Sequence, residues 1–447
     1  MRTTLAIIVC KFIYFVEKIF NRDASVFPGS IAKLIDKNVL DKIKFPEKVI
    51  VVTGSSGKGS TVNMIAHILK TSNKKILYNS NGSNINNALI TLALKNSGTF
   101  SHKIDYDIML LEMDERYISK SLNKGIITHM LITNITRDQP ARNYHQKIIY
   151  DKIMEAVDDS IHMIINIDDP LLNRIRFTHK GKITTYGISK TKYDSLKSPN
   201  YAVDFTYCPK CSSKLVYESY HYGDEGIYSC PKCDFDRGAP DYEATNVNLE
   251  KGTFKIKDQN YNLDKNVFFA VYYTLAAITL TNIIGLTHEE IDYAINKAPI
   301  KSKRMETYKI GNRTFETIES KNENALSYLQ SLNYITAQDK TKTIVMGFEN
   351  VSRRYKYNDL SWLYDVDFEL LAKDKNIDKI FVLGKYRYDV ATRLEYAKID
   401  TKKIVLVDDV NTIIDRVKKE SKGDIYSMVC FDMTEIITNL IKGDKND

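Results

Sequence analysis

No stretch of this sequence stays apolar for long enough to span a bilayer. The nearest approach, "LAIIVCKFIYFVEKIF" close to the amino terminus, is interrupted by Lys11, Glu17 and Lys18, and its uncharged core from Leu5 to Cys10 is shorter than the apolar centre of a signal peptide. It reads as an amphipathic helix, able either to pack on the body of the protein or to rest on a membrane surface. Cysteine is scarce, at six in 447 residues, which argues against a disulfide framework. Charge of one sign is not concentrated: a formal +8 is modest for this length and spread along the chain, so an anionic partner is permitted but not named. Internal repeats and low-complexity linkers are missing as well. What remains is a chain 43% hydrophobic, able to bury real cores and long enough for two or three domains. The expectation is a soluble, cytoplasmic protein, with the first helix as the segment that could touch the inner face of a membrane.

Against that background "VIVVTGSSGKGSTVNMIAHILK" stands out. Val49 to Val52 is an apolar run of strand length, and from Lys58 onward Met64, Ile65, Ile68 and Leu69 recur with helical spacing. Between strand and helix lie Gly54, Gly57, Lys58, Gly59, Ser60 and Thr61. Glycines let successive backbone N–H groups turn around an anion, the helix N-terminus adds its dipole, and Lys58 adds a point charge for phosphate. A hydroxyl after the lysine, Ser60 or Thr61, can ligate magnesium; spacing alone does not choose between them. Only two residues separate Gly54 from Gly57, and a glycine follows the lysine, so the loop departs from the common Walker spacing. The chemistry still points to ATP.

From residue 48 to about 200 strand and helix patterns alternate, in "DYDIMLLEMD", "HMLITNIT", "HMIINID" and "KITTYGI", which predicts a parallel sheet covered by helices. A turn is expected at "FPG", Phe27 to Gly29. Residues 201 to 265 break the alternation with cysteines and short segments such as "TFKIKDQNYNL". Two helices follow, at "NVFFAVYYTLAAITLTNII" and "THEEIDYAINKA". A second α/β series then begins near 303, with a strand at "KTIVMGF", a helix over "DLSWLYDVDFELLAK", further strands at "DKIFVLGK", "KKIVLVDD" and "DIYSMVCF", and a closing helix. The expected fold is α/β: a helical segment over 1–47, a central ATP-binding domain over 48–302 with a zinc ribbon inserted at about 205–240, and a smaller Rossmann-like domain over 303–447.

Two further groups of residues carry chemistry. "CPKC" occurs twice, with eighteen residues between, so Cys208, Cys211, Cys230 and Cys233 form two knuckles of a four-thiolate zinc site. A closed sulfur shell leaves no position for water, so that zinc is structural. In "MLLEMDERY", Glu112 and Asp114 end an apolar strand, where a carboxylate can hold magnesium opposite the phosphate loop. Asn134, Arg137 and Asp138 in "TNITRDQPAR" end the next strand and could order the same crevice, and "NIDDP" at 166 to 170 reads as a turn or a ribose contact.

Taken in order, the Gly54 to Thr61 loop, "LEMDE", "TNITRDQ", "NIDDP", "KRME" at 303 to 306 and "DLSWLYDVDFE" resemble the Mur ligases. With its four-cysteine insertion the chain is more narrowly similar to the MurT-type subunits of lipid II isoglutaminyl synthases. That resemblance implies ATP-dependent amidation of the α-carboxyl of D-glutamate in the lipid II stem peptide, through an acyl phosphate. It implies ammonia from a separate class I glutaminase subunit of the GatD type; no nucleic-acid partner is expected, because the isolated Lys/Arg runs read as solvated faces. It also implies Lys58 on the phosphates, Ser60 and Glu112 on magnesium, Asn134 and Arg304 near the nucleotide, and Asp359 lent to the glutaminase; Asp359 also reads as a helix cap. The chain departs from the family where Ala270 and Tyr273 replace two asparagines expected near adenine; a tyrosine there could stack on the base. "SKNENA" and the basic "VSRRYKYN" replace family loops near the acceptor or partner surface. Two other readings stay open: an amino-acid ligase like other Mur ligases or folylpolyglutamate synthases, and a nucleotide-binding scaffold with weakened catalysis.

Overall fold

A computed structural model describes the chain except residues 21, 23, 80–85, 124, 139–144, 198–205, 299–304, 319–323, 350–358 and 444–447. Arg304, the "VSRRYKYN" loop and most of "SKNENA" therefore lie outside the described residues. The rest forms two compact units, one of Met1–Ile135, Gln146–Ser198 and Phe205–Ile300, the other mainly of Lys301–Asp447.

The first unit opens with two helices, α1 (Arg2–Ile19) and α2 (Phe27–Ile35), joined to the main core through Ala6, Ile7, Cys10 and Ala32. The expected turn at Phe27 to Gly29 is instead the start of α2. Proline in a first helical turn loses no hydrogen bond, because that N–H has no partner one turn back. Gly29 is required by close approach: a Cβ there would sit 2.1 Å from the carbonyl oxygen of Asn87.

Behind these helices lies a nine-stranded sheet. In chain order its first strands are β1 (Lys48–Thr53), β2 (Ile76–Tyr78), β3 (Ile108–Glu112), β4 (His129–Ile132), β5 (His162–Asn166) and β6 (Ile183–Ile188). A hairpin, β7 (Val216–Tyr222) and β8 (Glu225–Ser229), stands apart as its own two-stranded sheet. β9 (Tyr242–Asn248), β10 (Thr253–Ile256) and β11 (Gln259–Asn262) complete the large sheet, whose order is β2-β3-β1-β4-β5-β6-β9-β10-β11. Pairing is parallel from β2 through β9 and antiparallel only at β9-β10-β11. Five of the six residues of β1 are buried, as expected of a strand covered on both faces. Strand order reverses at β1, with β3 on one side and β4 on the other, and α/β sheets bind ligands at the carboxyl end of such a switch point. α3 (Lys58–Thr71) starts there.

The second unit holds β12 (Met305–Ile310), β13 (Arg313–Ile318), β14 (Lys342–Gly347), β15 (Ile377–Leu383), β16 (Ile404–Val407) and β17 (Asp424–Val429), ordered β12-β13-β17-β14-β15-β16. All pairs except β12-β13 are parallel. One expectation fails here: "DLSWLYDVDFELLAK" is not one helix but a 3₁₀ turn, Ser361–Asp365, and a short helix, Glu369–Lys373. The cause is Arg393, which is 1% exposed and donates to the carbonyls of Leu363 at 3.1 Å and Val366 at 2.8 Å and to the Glu369 carboxylate. Those carbonyls accept from the guanidinium as well as from the N–H groups of Val366 and Phe368, in tight turns rather than a helix, and the chain bends around the guanidinium.

Candidate functional site

The loop after β1 is held in place by the ends of its two neighbours. From the β4 side, the backbone oxygen of Asn134 accepts from Ser55 N–H at 2.9 Å and its side-chain Oδ1 accepts from Ser56 N–H at 2.9 Å. Thr133 Oγ1 donates to the Ser56 carbonyl at 2.6 Å. Gly54 has φ of 128°, and a Cβ at this position would lie 2.3 Å from Thr133 Oγ1, so glycine is required both by conformation and by space. Gly57, with φ of 79°, caps α3 in a left-handed turn with nothing within 4 Å of where its Cβ would be. Beyond it the first-turn N–H groups of Lys58, Gly59 and Ser60 project from the helix end, which is the arrangement that binds phosphate.

Lys58 Nζ donates to the Gly54 carbonyl and to Glu115 Oε1, the latter at 2.6 Å. Both side chains of this ion pair are largely buried, at 11% and 5% exposure. Nothing in the sequence singles out Glu115, although it is the last acid of "LEMDE". Glu112 ends β3 in register with Val52 of β1, and Asn79 clamps its backbone at 2.8 Å on both N–H and carbonyl, leaving a half-buried carboxylate beside the loop. Asp114 is buried and accepts from Arg116 N–H at 3.1 Å. Of the two hydroxyls, Thr61 is fully buried and donates to the Gly57 carbonyl at 3.0 Å, while Ser60 keeps partial exposure.

"NIDDP" is used internally. Asp169 caps a short helix through Leu171 and Leu172 N–H and accepts from Ile135 N–H at 2.7 Å. Asp168 accepts from Arg237 Nε at 2.8 Å, Ile188 N–H at 2.8 Å and the Tyr272 hydroxyl at 3.0 Å. Ala270 is fully buried, and Tyr273 is 6% exposed with its hydroxyl on Asp264, so it turns no open ring face toward a base. In the second unit, with which Arg137 and Asp138 cluster, Arg137 pairs with Asp365 at 3.1 Å and Asp138 accepts from Asn324 at 2.9 Å. Asp359 accepts from Ser361 N–H at 2.9 Å, opening the 3₁₀ turn as a capping residue does.

The four cysteines converge. Their sulfurs all lie within 4.8 Å of one another, with Cys208 to Cys233 at 3.7 Å and Cys211 to Cys230 at 3.4 Å. Zn–S bonds of about 2.3 Å at tetrahedral angles put sulfurs about 3.8 Å apart, so the donor set fits zinc. In each knuckle the lysine N–H reaches back to the first sulfur, Lys210 to Cys208 at 3.4 Å and Lys232 to Cys230 at 3.5 Å. Without a metal the thiols diverge: hydrogen bonds from Ser213 bring Cys211 down to about 6, while burial raises Cys208 and pushes Cys233 up to about 12.

The ribbon's hairpin comes near the residues that hold the phosphate loop. Glu225, on β8, is buried beside Asp169 and Asp168, and burial followed by those two charges pushes its carboxyl well above the usual range. Tyr272 and Asn134 lie near enough to offset part of that rise. Asn134, near Glu225, holds Ser56 of the loop through its Oδ1.

Comparison with known proteins follows the same order of parts. Residues 52–213 match the Mur ligase middle domain and residues 320–433 the MurT ligase C-terminal domain. Lipid II isoglutaminyl synthase (glutamine-hydrolyzing) subunit MurT of Staphylococcus aureus strain N315 is 28% identical over 408 residues, covering 91% of this chain and 90% of the relative. Its namesake from Streptococcus pneumoniae strain R6 is 25% identical over 440 residues, covering 96% and 95%. Among solved structures, a pseudomurein peptide ligase type C from Methanothermus fervidus superimposes with a TM-score of 0.67 at 20% identity, over 93% of this chain and 84% of that one. MurF from Acinetobacter baumannii gives 0.61 at 16% identity, over 92% and 80%. These two establish the fold. With both segments matched in order and the relatives aligned along nine-tenths of its length, the chain carries a Mur ligase middle domain followed by a MurT ligase C-terminal domain, and is similar throughout to MurT subunits.

Proposed function

We propose that this protein is the ATP-dependent synthetase subunit of an amidating complex, converting the α-carboxyl of D-glutamate in the lipid II stem peptide to the amide of D-isoglutamine. The observation that carries the reading is the union, in one chain, of a phosphate loop at a sheet switch point with a C-terminal segment of the MurT type. The carboxylate oxygen attacks the γ-phosphorus of ATP, ADP departs, and an acyl phosphate forms. Ammonia then adds to the acyl carbon, the C–O bond to phosphate breaks, and the proton lost from nitrogen leaves on the departing hydrogen phosphate.

The chain's own residues divide this work. First-turn N–H groups of α3 hold the β- and γ-phosphates, and Lys58, held at the loop by Glu115 and Gly54, neutralises charge as the phosphoryl group moves. Ser60 and the Glu112 carboxylate are the residues that would hold a magnesium ion, Ser60 because the Thr61 hydroxyl is buried and already spent on Gly57. Magnesium, when bound, shields the phosphate oxygens from the incoming carboxylate. Zinc at the four cysteines is structural. The remaining assignments, Asn134 and Arg304 at the nucleotide, belong to the same reading; Asn134 acts there by fixing the loop.

Ammonia is assigned to a separate glutaminase subunit of class I, GatD-type chemistry, to which Asp359 lends its carboxylate to orient a histidine beside a nucleophilic cysteine. Asn caps as well as Asp, so Asp359→Asn should preserve the Ser361 contact and the fold. Assayed in the complex, it is expected to cut glutamine-dependent amidation by about 10⁴-fold, the loss typical when the orienting aspartate of a catalytic triad becomes asparagine. Turnover with ammonium chloride should stay within a factor of two or so of the parent, since the acyl-transfer site is untouched. Equal loss with both nitrogen sources would move Asp359 into the synthetase site.

A further inference from the structure

Helix α1 leaves an apolar stripe in solvent. Leu5, Ile8, Phe12, Phe15 and Ile19 are spaced alternately three and four residues apart, which places them on one side of a helix, and each is between 47% and 66% exposed. The opposite side, Thr3, Ala6, Ile7 and Cys10, is buried in the first unit. The helix is firmly seated: Thr3 donates to Asp36 at 2.8 Å, and Lys11 Nζ to the Ser97 carbonyl at 2.6 Å. Its outer face is therefore a permanent feature of the surface. Phe20, Phe27, Leu34 and Phe100 are also more than half exposed in or beside this helical layer. Scattered exposed apolar residues are ordinary, but an ordered stripe of this length marks an interaction surface.

We propose that this face docks on an anionic membrane surface, α1 lying flat with its stripe among the acyl chains. Charge selects the occupant. Residues 1–44 carry eight lysines and arginines against four acids. At about 100° per residue, Arg2 falls on one edge of the stripe and Lys18 on the other, whereas Glu17, the single acid of the helix, falls about 160° from the stripe's centre. Asp36 and Lys42 neutralise each other at 2.7 Å, which leaves seven cations against three acids. Apolar residues flanked by cations suit acidic headgroups. Self-association through the same stripe would instead gather two sets of those flanking cations at one interface, with the helix's one acid, Glu17, turned away from it. The inference rests in part on the proposed function, because a lipid-linked acceptor lies at such a surface.

The full chain is sedimented with vesicles of phosphatidylcholine alone or mixed with phosphatidylglycerol, without nucleotide or acceptor. Binding should be at least tenfold tighter to the mixed vesicles. Phe12→Ser combined with Phe15→Ser should weaken it by about a hundredfold, as two buried aromatic side chains are lost from the acyl layer. Amidation of a water-soluble muropeptide with ammonium should be unchanged in this variant, whose substitutions are remote from the phosphate loop and already solvent-exposed. Equal or absent binding to both vesicle types by the parent chain would overturn the inference. So would a concentration-dependent dimer in sedimentation velocity that the same substitutions dissolve, which would assign the face to a second copy. Failure of the parent chain to amidate the muropeptide while still binding the mixed vesicles would instead count against the proposed function.

Discussion

Replacement of Lys58 by alanine is expected to lower ATP-dependent amidation by about 10³-fold with either ammonium or glutamine, the upper end of what a single charged or hydrogen-bonding group contributes to a phosphoryl-type transition state. The geometry gives the reason. Lys58 is the first residue of α3, and its ammonium folds back over the loop onto the Gly54 carbonyl and Glu115, above the N–H groups that would hold the phosphates. A second effect comes from the pair itself. Glu115 is 4% exposed, and removing its cation leaves a buried carboxylate unpaired, which typically costs about 3 kcal/mol or more. The variant should therefore melt earlier than the parent as well as turn over slowly. Glu115→Gln separates the two effects: it keeps the ammonium and removes the buried charge, so it should lose far less turnover than Lys58→Ala. Unchanged turnover in Lys58→Ala, measured as ADP formed with acceptor present, would remove the phosphate assignment.

Loss of zinc should be nearly as damaging, by a different route. Cys208→Ser is expected to abolish stoichiometric zinc, read by elemental analysis, and to unfold the ribbon, because structural zinc in small domains contributes on the order of 10 kcal/mol of folding free energy. The little core of the ribbon, Cys208, Leu215, Tyr228, Cys230 and Phe235, is too small to hold together alone. The same hairpin carries Glu225, buried near Asn134, and Asn134 takes up the Ser55 and Ser56 N–H groups of the phosphate loop. Ribbon unfolding should thus weaken binding of a non-hydrolysable ATP analogue by about tenfold, the worth of one well-made buried hydrogen bond. A variant that keeps one zinc per chain would refute the four-thiolate site. One that loses zinc yet binds nucleotide unchanged would sever the ribbon from the loop.

Features contiguous in sequence are the ones legible from the residues alone. β1, the Gly54 to Thr61 turn and α3 announce themselves because a buried parallel strand is a continuous apolar run and the phosphate cradle follows it directly. The two "CPKC" knuckles are legible because a knuckle is local and their partnership is fixed by sulfur chemistry. Features that depend on residues meeting across the fold are not. Glu112 and Asp114 stand out as the acids of the strand end, yet Glu115 reaches Lys58, a result of how the chain turns after β3. The long helix expected from Asp359 to Lys373 has good periodicity but is broken by Arg393, about thirty residues away in sequence, which takes two of its carbonyls. At Phe27 the signal is double-edged, since proline and glycine suit a turn as well as a first helical turn packed against a neighbour. Glu225 has no signal at all: a glutamate in a hairpin reads as solvated until the strands around it are placed. Ala270 and Tyr273, on the long central helix, are unusual for the family in sequence, but the tyrosine is committed to Asp264 and not left facing open space.

The most direct test of the account is the mass of the acceptor peptide after incubation of the purified complex with ATP, magnesium and ammonium chloride. Amidation replaces a hydroxyl by an amino group, so the D-glutamate-containing muropeptide should become lighter by about one mass unit, with one ADP formed per amide, in keeping with the acyl-phosphate route of carboxylate activation. An unchanged peptide mass with the nucleotide demonstrably bound, or an increase by the residue mass of an amino acid, would contradict it.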